Sequence, residues 1–364
     1  MIDEERINVT KVFLPPLEEY EAYLKGIWER GYLTNQGPLL KEFEKKTEGY
    51  LGVDNFHFVA NGTLALQVAI RALGITEGEI ITTPFSYVAT TSAILWERCK
   101  PIYVDINPET FCIDVNKIEA AITKDTKAIL AVHVFGNPCD VEKIQQIATK
   151  HKLKVIYDAA HAFAVEYSGQ SLLSFGDIST CSFHSTKLFH TIEGGGIIVN
   201  DESFDEKVEL TKRFGHDGDE HYMLGMNAKA SEFQAAMGLC NLKYIQENIG
   251  KRTKVFNLYM KLLSGSSLQL PNIIGATKYN YAYYPVVFKT EEQLLETTKA
   301  LNSSNIFPRR YFYPSLNTLP YLEDKQVCLI SEKIAPRIMC LPLYVDLEEE
   351  KVRQICNIIK NNEI

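Results

Sequence analysis

Lys154-Val-Ile-Tyr157 runs into Asp158-Ala-Ala-His161-Ala, and a second apolar run, 178–183, leads into Ser182-Phe-His-Ser-Thr-Lys187-Leu-Phe-His-Thr-Ile-Glu193-Gly-Gly-Gly196. Each is a short β-branched stretch that stops at a polar residue, the pattern of a buried strand delivering a side chain at its end. Outward from this pair the pattern repeats. Strand-like runs occupy 79–83, 101–106, 128–135 and 196–199, and between them 63–72, 87–96, 115–121 and 141–151 place apolar residues at threes and fours. Such alternation predicts an α/β domain with a central, mostly parallel sheet, whose ligands collect at the carboxyl ends of the strands.

After about residue 245 the texture changes. A long helix is expected from Met237 to about Leu263, then a strand over 279–288, a helix over 291–302, a segment at 309–312 and a terminal helix over 347–361. This order fits a small α+β domain. The expected division is 1–245 for the large domain and 246–364 for the small one, with the N-terminal segment packing on the latter.

Composition narrows the function. The 364 residues are 46% hydrophobic and 23% charged, an ordinary globular mix. With 38 Lys+Arg against 46 Asp+Glu the net charge is −8, which argues against a nucleic-acid partner. The eight cysteines form no CxxC pair and read as free thiols of a reducing cytosol. The start, Met1-Ile-Asp-Glu-Glu-Arg6, lacks the basic-then-apolar order of a signal peptide, and no run of apolar residues is long enough to span a membrane. A cytoplasmic protein is the expectation.

Four features carry chemistry. A lysine at the end of a buried strand loses solvation, which lowers its pKa and makes its amine nucleophilic, although alone Lys187 could be an ordinary solvated residue. A carboxylate at the end of an apolar strand, Asp158, needs a cationic partner, and a pyridinium nitrogen is one. Phe58-Val-Ala-Asn61-Gly62-Thr63 reads as strand, turn and helix start, whose free N–H groups suit a single phosphate. In Thr83-Pro-Phe-Ser-Tyr87 the tyrosine follows another strand and can lie flat on a heteroaromatic ring. Phosphate cradle, stacking aromatic, acid and lysine are the parts of a pyridoxal-phosphate site.

With these motifs at this spacing, from Tyr32-Leu-Thr-Asn-Gln-Gly37-Pro to Leu341-Pro-Leu-Tyr344, the chain resembles the DegT/StrS family of nucleotide-sugar aminotransferases. The resemblance implies the fold-type I aminotransferase architecture and pyridoxal 5'-phosphate as cofactor. It makes Lys187 the lysine that condenses with the cofactor aldehyde and later moves a proton, and Asp158 the partner of the pyridine nitrogen. It gives His161 the ring's phenolic oxygen, Tyr87 the ring face, and Gly62, Thr63 and Ser182 the phosphate. It sends Asn227, in Gly225-Met-Asn227-Ala-Lys-Ala-Ser-Glu232, to the phosphate of a neighbouring subunit, hence a homodimer with shared sites. L-Glutamate is the implied donor and a nucleotide-linked keto-deoxysugar the acceptor. Leu14-Pro-Pro-Leu-Glu-Glu-Tyr and Asn137-Pro-Cys-Asp resemble the bacterial branch that makes dTDP-4-amino-4,6-dideoxyglucose for surface polysaccharide. A 3-aminotransferase and a UDP-sugar enzyme stand beside that reading. Lys229, Ala230 and Ala164 depart from the usual family residues, which bears on the sugar side of the site.

Competing classes lack their residues. A sugar dehydratase of this kind replaces the lysine by histidine, a non-catalytic regulator has no need of Lys187, Asp158 and Ser182 together, and a nicotinamide dehydrogenase needs GxGxxG where Val59-Ala-Asn-Gly-Thr stands. Two stretches imitate other sites. His216-Asp-Gly-Asp-Glu-His221 offers metal-ligand types but reads as a solvated loop, and the tyrosine-rich 279–284 reads as a strand of the small domain rather than a base-stacking surface.

Overall fold

The computed structural model describes residues 6–273 and 277–362; the acidic start at 1–5 lies outside them. The main elements, in order, are α1 (Leu17–Arg30), α2 (Pro38–Leu51), β1 (Phe56–Val59), α3 (Gly62–Ala72), β2 (Glu79–Thr82), α4 (Val88–Trp96), β3 (Lys100–Tyr103), β4 (Thr126–Val132), α5 (Val141–His151), β5 (Lys154–Asp158), β6 (Ile178–Ser182), β7 (Gly195–Val199), α6 (Asp205–Thr211), α7 (Glu232–Leu242), α8 (Ile245–Leu263), β8 (Pro285–Val287), α9 (Glu291–Ser303), β9 (Ile338–Cys340) and α10 (Glu349–Asn361). Seven strands form one sheet in the order β1-β7-β6-β5-β4-β2-β3, parallel except for β7, which runs against both its neighbours. The carboxyl ends of β4, β5 and β6 therefore lie side by side on one edge, and reversed β7 brings its first glycine to the same edge.

Both faces of the sheet are covered. On one face Phe43 of α2 meets the rings of Phe56, Phe58, Phe183 and Phe189, with centroids 4.7 to 6.3 Å away. Gly238 of α7 lets this ring approach, since a Cβ there would sit 2.5 Å from it. On the other face α3 packs against Ile80, Leu130, Ile156, Ile178 and Ile197. A separate core gathers Val255, Tyr259 and Leu263 of α8 with Tyr284, Leu294, Leu301, Val352, Ile355 and Ile359, and takes in Ile7 from the N-terminal segment. Ile7–Asn8 pairs parallel with Ile306–Phe307. Ile249 still faces the first core, so one helix serves both.

Several expected boundaries move. The helix expected from Met237 begins earlier, at Glu232, behind a Ser231–Gln234 capping box, and breaks at Lys243-Tyr244. There the N–H groups reach back only three residues, to Cys240 and Asn241, while Tyr244 packs on Phe13 and its hydroxyl donates to Glu19. The strand expected over 279–288 reduces to β8, because Tyr281 has φ +52° and the residues before it bond across to the large domain. β3 stops at Tyr103 rather than 106, and β4 at Val132, ahead of a tight turn in which Phe135 has φ +55°. The 115–121 helix is one α-turn followed by a 3-10 turn. At 309–312 only Arg309 bridges a strand, at Cys340. All eight cysteines are buried and unpaired.

Phe43→Ala removes the ring on which four others converge and is expected to cost about 3–5 kcal/mol. Urea unfolding followed by tryptophan fluorescence checks this; a loss below about 1 kcal/mol would mean that the cluster repacks.

Candidate active site

A cavity of about 220 Å³ opens at the carboxyl edge of the sheet. Asp158, Lys187, His161, Tyr87, Gly62, Thr63 and Ser182 all line it, as do Tyr283, Arg309, Tyr311 and Phe312 from beyond residue 245.

Asp158 closes β5 and is 6% exposed. Its Oδ2 accepts from the Thr90 hydroxyl at 2.8 Å and its Oδ1 from the Ala160 N–H at 3.1 Å. Burial pushes the carboxyl pKa up, and these two bonds and the Lys187 charge pull it back. Among the described residues Asp158 makes no ion pair, so a cation above it would complete its environment. Thr90 is itself held by Ser86, 2.8 Å away.

His161 follows three residues later in the turn after β5 and is buried beside rings, with Phe135 and Phe312 nearly parallel to it at 6.2 and 5.6 Å. Its Nδ1 accepts the Phe135 N–H at 3.2 Å, which leaves the proton of the neutral ring on Nε2. Burial, with Lys187 adding to it, holds the imidazole pKa well below its ordinary value. His161 is therefore a fixed N–H donor, suited to an anionic ring oxygen.

Lys187 lies five residues past the end of β6, its backbone N–H bonded to the His184 carbonyl at 2.8 Å. Burial brings its ammonium down to about 8; Asp158 and Tyr87 oppose the shift and Arg309 adds to it. A fraction of this amine is neutral near pH 7, as a nucleophile requires.

At the end of β1, Asn61 caps α3 by accepting the Leu64 N–H at 2.9 Å, and the first-turn N–H groups of Gly62 and Thr63 have no intrahelical acceptor. The cradle is closely built. A Cβ on Gly62 would lie 2.9 Å from the Ser182 Cβ, and one on Gly195 would lie 2.4 Å from the Asn61 carbonyl oxygen. Gly195 thus serves the approach of β7 to the Asn61 turn, while Gly194 and Gly196 make room for Thr191 and Phe56. Tyr87 precedes α4 and is 56% exposed, its ring open to the cavity.

Asn227 is not brought to this cavity; it is exposed and bridges Arg213. The 216–221 stretch forms a small hairpin with the two histidine rings 5.1 Å apart, and among the described residues no His, Cys, Asp and Glu side chains cluster as a metal site. The sequence reading passed over Thr90, which faces inward on α4 one turn after Tyr87, and Tyr283, Arg309, Tyr311 and Phe312, which no local motif marks.

The family model for the DegT/DnrJ/EryC1/StrS aminotransferases matches residues 17–360. The chain belongs to that family. It is 41% identical over 366 residues to a dTDP-4-amino-4,6-dideoxy-D-glucose transaminase of Shigella dysenteriae, covering 98% of this chain and 99% of the relative. It is 34% identical to a GDP-perosamine synthase of Escherichia coli O157:H7, covering 96% and 97%. Among solved structures, that of DesI in the presence of its TDP-sugar product matches with a TM-score of 0.93 at 27% identity, covering 98% of this chain and 93% of that one.

This family member is a pyridoxal-phosphate-dependent sugar aminotransferase. The cavity fits the cofactor: a buried acid without an ion pair among the described residues, a lysine with a lowered pKa and a glycine-lined helix start face one space. When bound, the cofactor supplies an electron sink for the carbanion formed at the donor carbon. Asp158 would hold the ring-nitrogen proton, His161 Nε2–H would donate to the ring oxygen, Tyr87 would cover the ring face, and Gly62, Thr63 and Ser182 would bind the phosphate. Lys187 Nζ, once a free amine, would take the proton from the donor carbon.

Two measurements follow. Capture of cofactor by the cofactor-free chain should accelerate with pH and level off near pH 8, because below that the Lys187 ammonium must first lose a proton; a rate still climbing at about pH 10, the ordinary lysine range, would contradict the depressed amine. Lys187→Ala should abolish borohydride trapping of the cofactor, and trapping that persists on another lysine would overturn the assignment.

Proposed function

We propose that this aminotransferase moves the amino group of L-glutamate to dTDP-4-keto-6-deoxy-D-glucose, forming dTDP-4-amino-4,6-dideoxy-D-glucose for surface polysaccharide. The observation that carries this reading is the end-to-end 41% identity with the Shigella transaminase, against 34% for the GDP-perosamine synthase. Near-complete coverage on both sides supports the same set of parts in the same order. A cytoplasmic enzyme drawing on soluble glutamate and a soluble nucleotide sugar accords with described helices of which none is long and apolar enough to cross a membrane.

The working unit in this reading is a homodimer. Phe214, Tyr222 and Leu224, in the same 213–227 stretch as exposed Asn227, are exposed apolar residues of the kind that a second copy covers. Asn227 then reaches the partner's cofactor phosphate, which accounts for its distance from its own subunit's cavity.

The test is direct. Glutamate alone should convert the visible cofactor band to the near-ultraviolet pyridoxamine form, and the reduced enzyme should then aminate the dTDP-linked 4-keto sugar with kcat/KM at least about tenfold above its GDP- and UDP-linked counterparts. Proton NMR of the product locates the amine; a C3 amine, or preference for GDP, would replace this substrate. Mixing Asn227→Ala with Lys187→Ala subunits should regenerate activity, because each mixed dimer holds one intact site; no recovery would mean unshared sites.

A further inference from the structure

Residues 279–284 cross from the small core to the cavity as an extended strap whose polar groups are committed on both sides. The Tyr279 hydroxyl donates to the Phe135 carbonyl at 2.6 Å, and Asn280 Nδ2 donates to the His161 and Phe163 carbonyls, both at 2.9 Å. From the other side comes Arg252 of α8, 5% exposed. Its Nε donates to the Tyr281 carbonyl at 3.1 Å and an Nη to the Ala282 carbonyl at 2.7 Å. Among the described residues no carboxylate pairs with this guanidinium, and burial lowers its pKa to about 10. A buried charge satisfied only by backbone is costly, and what it holds is a left-handed turn at Tyr281, φ +52°. The residue two beyond is Tyr283, whose hydroxyl accepts from Lys187 Nζ at 3.4 Å. Its ring leans on His161 at 4.6 Å and on Phe135 and Tyr311, each at 5.6 Å.

We propose that Arg252 locks this strap so that the Tyr283 hydroxyl steers Lys187: when the lysine is a free amine, the phenol oxygen accepts one N–H and turns the nitrogen lone pair toward the donor carbon. Tyr283 and Arg252 are positioning residues that act through Lys187, and the inference rests on the role given above to that lysine. The proton balance is closed. The donor C–H bond would break with its electron pair passing to the electron sink that the cofactor supplies when bound, Lys187 Nζ would gain the proton, and Tyr283 would keep its own. Burial raises the Tyr283 pKa far above neutrality, so it stays a phenol. Among the described residues, the other charged or titratable groups that line the cavity with Lys187 are Asp158, His161, Tyr87, Arg309, Cys181, His184, Glu193 and Tyr311.

Tyr283→Phe tests the steering in two states. In the cofactor-free protein, the pH midpoint of Lys187 acylation, followed by peptide mass spectrometry, should fall by roughly half a unit, since the ammonium loses an acceptor. In the loaded enzyme, the single-turnover rate with glutamate should fall about 10- to 100-fold at unchanged glutamate affinity, with a larger isotope effect from α-deuterated glutamate. A midpoint and a rate both within experimental error of the native protein would overturn the proposal. Arg252→Met should show the same slowing, and Arg252→Lys, which retains a donor for the Ala282 carbonyl, should recover part of it. Equal losses in both Arg252 variants, tracking only a lower melting temperature, would remove Arg252 from the device. If Arg252→Met does not fold, Tyr283→Phe decides alone. A native enzyme that glutamate fails to convert would instead refute the donor, and the acylation midpoint would still judge Tyr283.

Discussion

A carboxylate sealed at the end of a central strand sets the terms for the rest of this molecule. Asp158 has neighbours in β4 and β6, hydrogen-bonded partners in Thr90 and Ala160, and, among the described residues, no ion pair. Ionised burial without compensation is unfavourable, so folding leaves one position above the sheet where positive charge is welcome. Around that position the structure arranges an amine that condenses with an aldehyde, a neutral imidazole that donates, and a helix start that takes an anion. None of the three would be selective for this cofactor alone. Their convergence on the acid makes the cavity specific.

The convergence follows from strand direction. Parallel β4, β5 and β6 end at one edge, so residues far apart in the chain meet without long loops. Reversed β7 adds a second constraint, because its Gly195 must pass close to the Asn61 turn that carries Gly62 and Thr63. Side chains at Gly195 or Gly62 would push the phosphate turn away from Ser182, and the cradle would open. The Glu193-Gly-Gly-Gly196 motif is thus an instance of packing that serves binding rather than a turn signal.

The large-domain half of the site was legible because its residues sit at the ends of regular elements. Asp158, His161, Ser182, Lys187, Gly62, Thr63 and Tyr87 all follow or precede elements whose periodicity shows in the sequence, and the cavity gathers all seven. Thr90 lay within reach of that logic, being one helical turn from Tyr87. Tyr283, Arg309, Tyr311 and Phe312 lay beyond it. They belong to segments without a period, where Tyr281 takes a positive φ and tertiary bonds to Phe135, His161 and Phe163 outweigh strand propensity. The break at Lys243-Tyr244 has the same origin: Glu19 and Phe13, more than two hundred residues away, set it.

The division between legible and illegible residues matches a division of labour. The residues we propose for holding the cofactor come from the ends of the sheet's regular elements, where rigid elements keep atoms in place. Tyr283, which meets Lys187 from the far side, sits on a strap that leaves the small core and is secured by a buried arginine and by an asparagine that grips the His161 carbonyl. His161 is thereby tied to both halves: Asn280 holds its carbonyl, Phe135 its Nδ1, and Tyr283 leans on its ring. A shift of the small core relative to the sheet would move the Tyr283 hydroxyl and the His161 ring together. The Tyr283 hydroxyl at Lys187 and the Asn280 amide at the His161 carbonyl thus belong to one six-residue segment, 279–284.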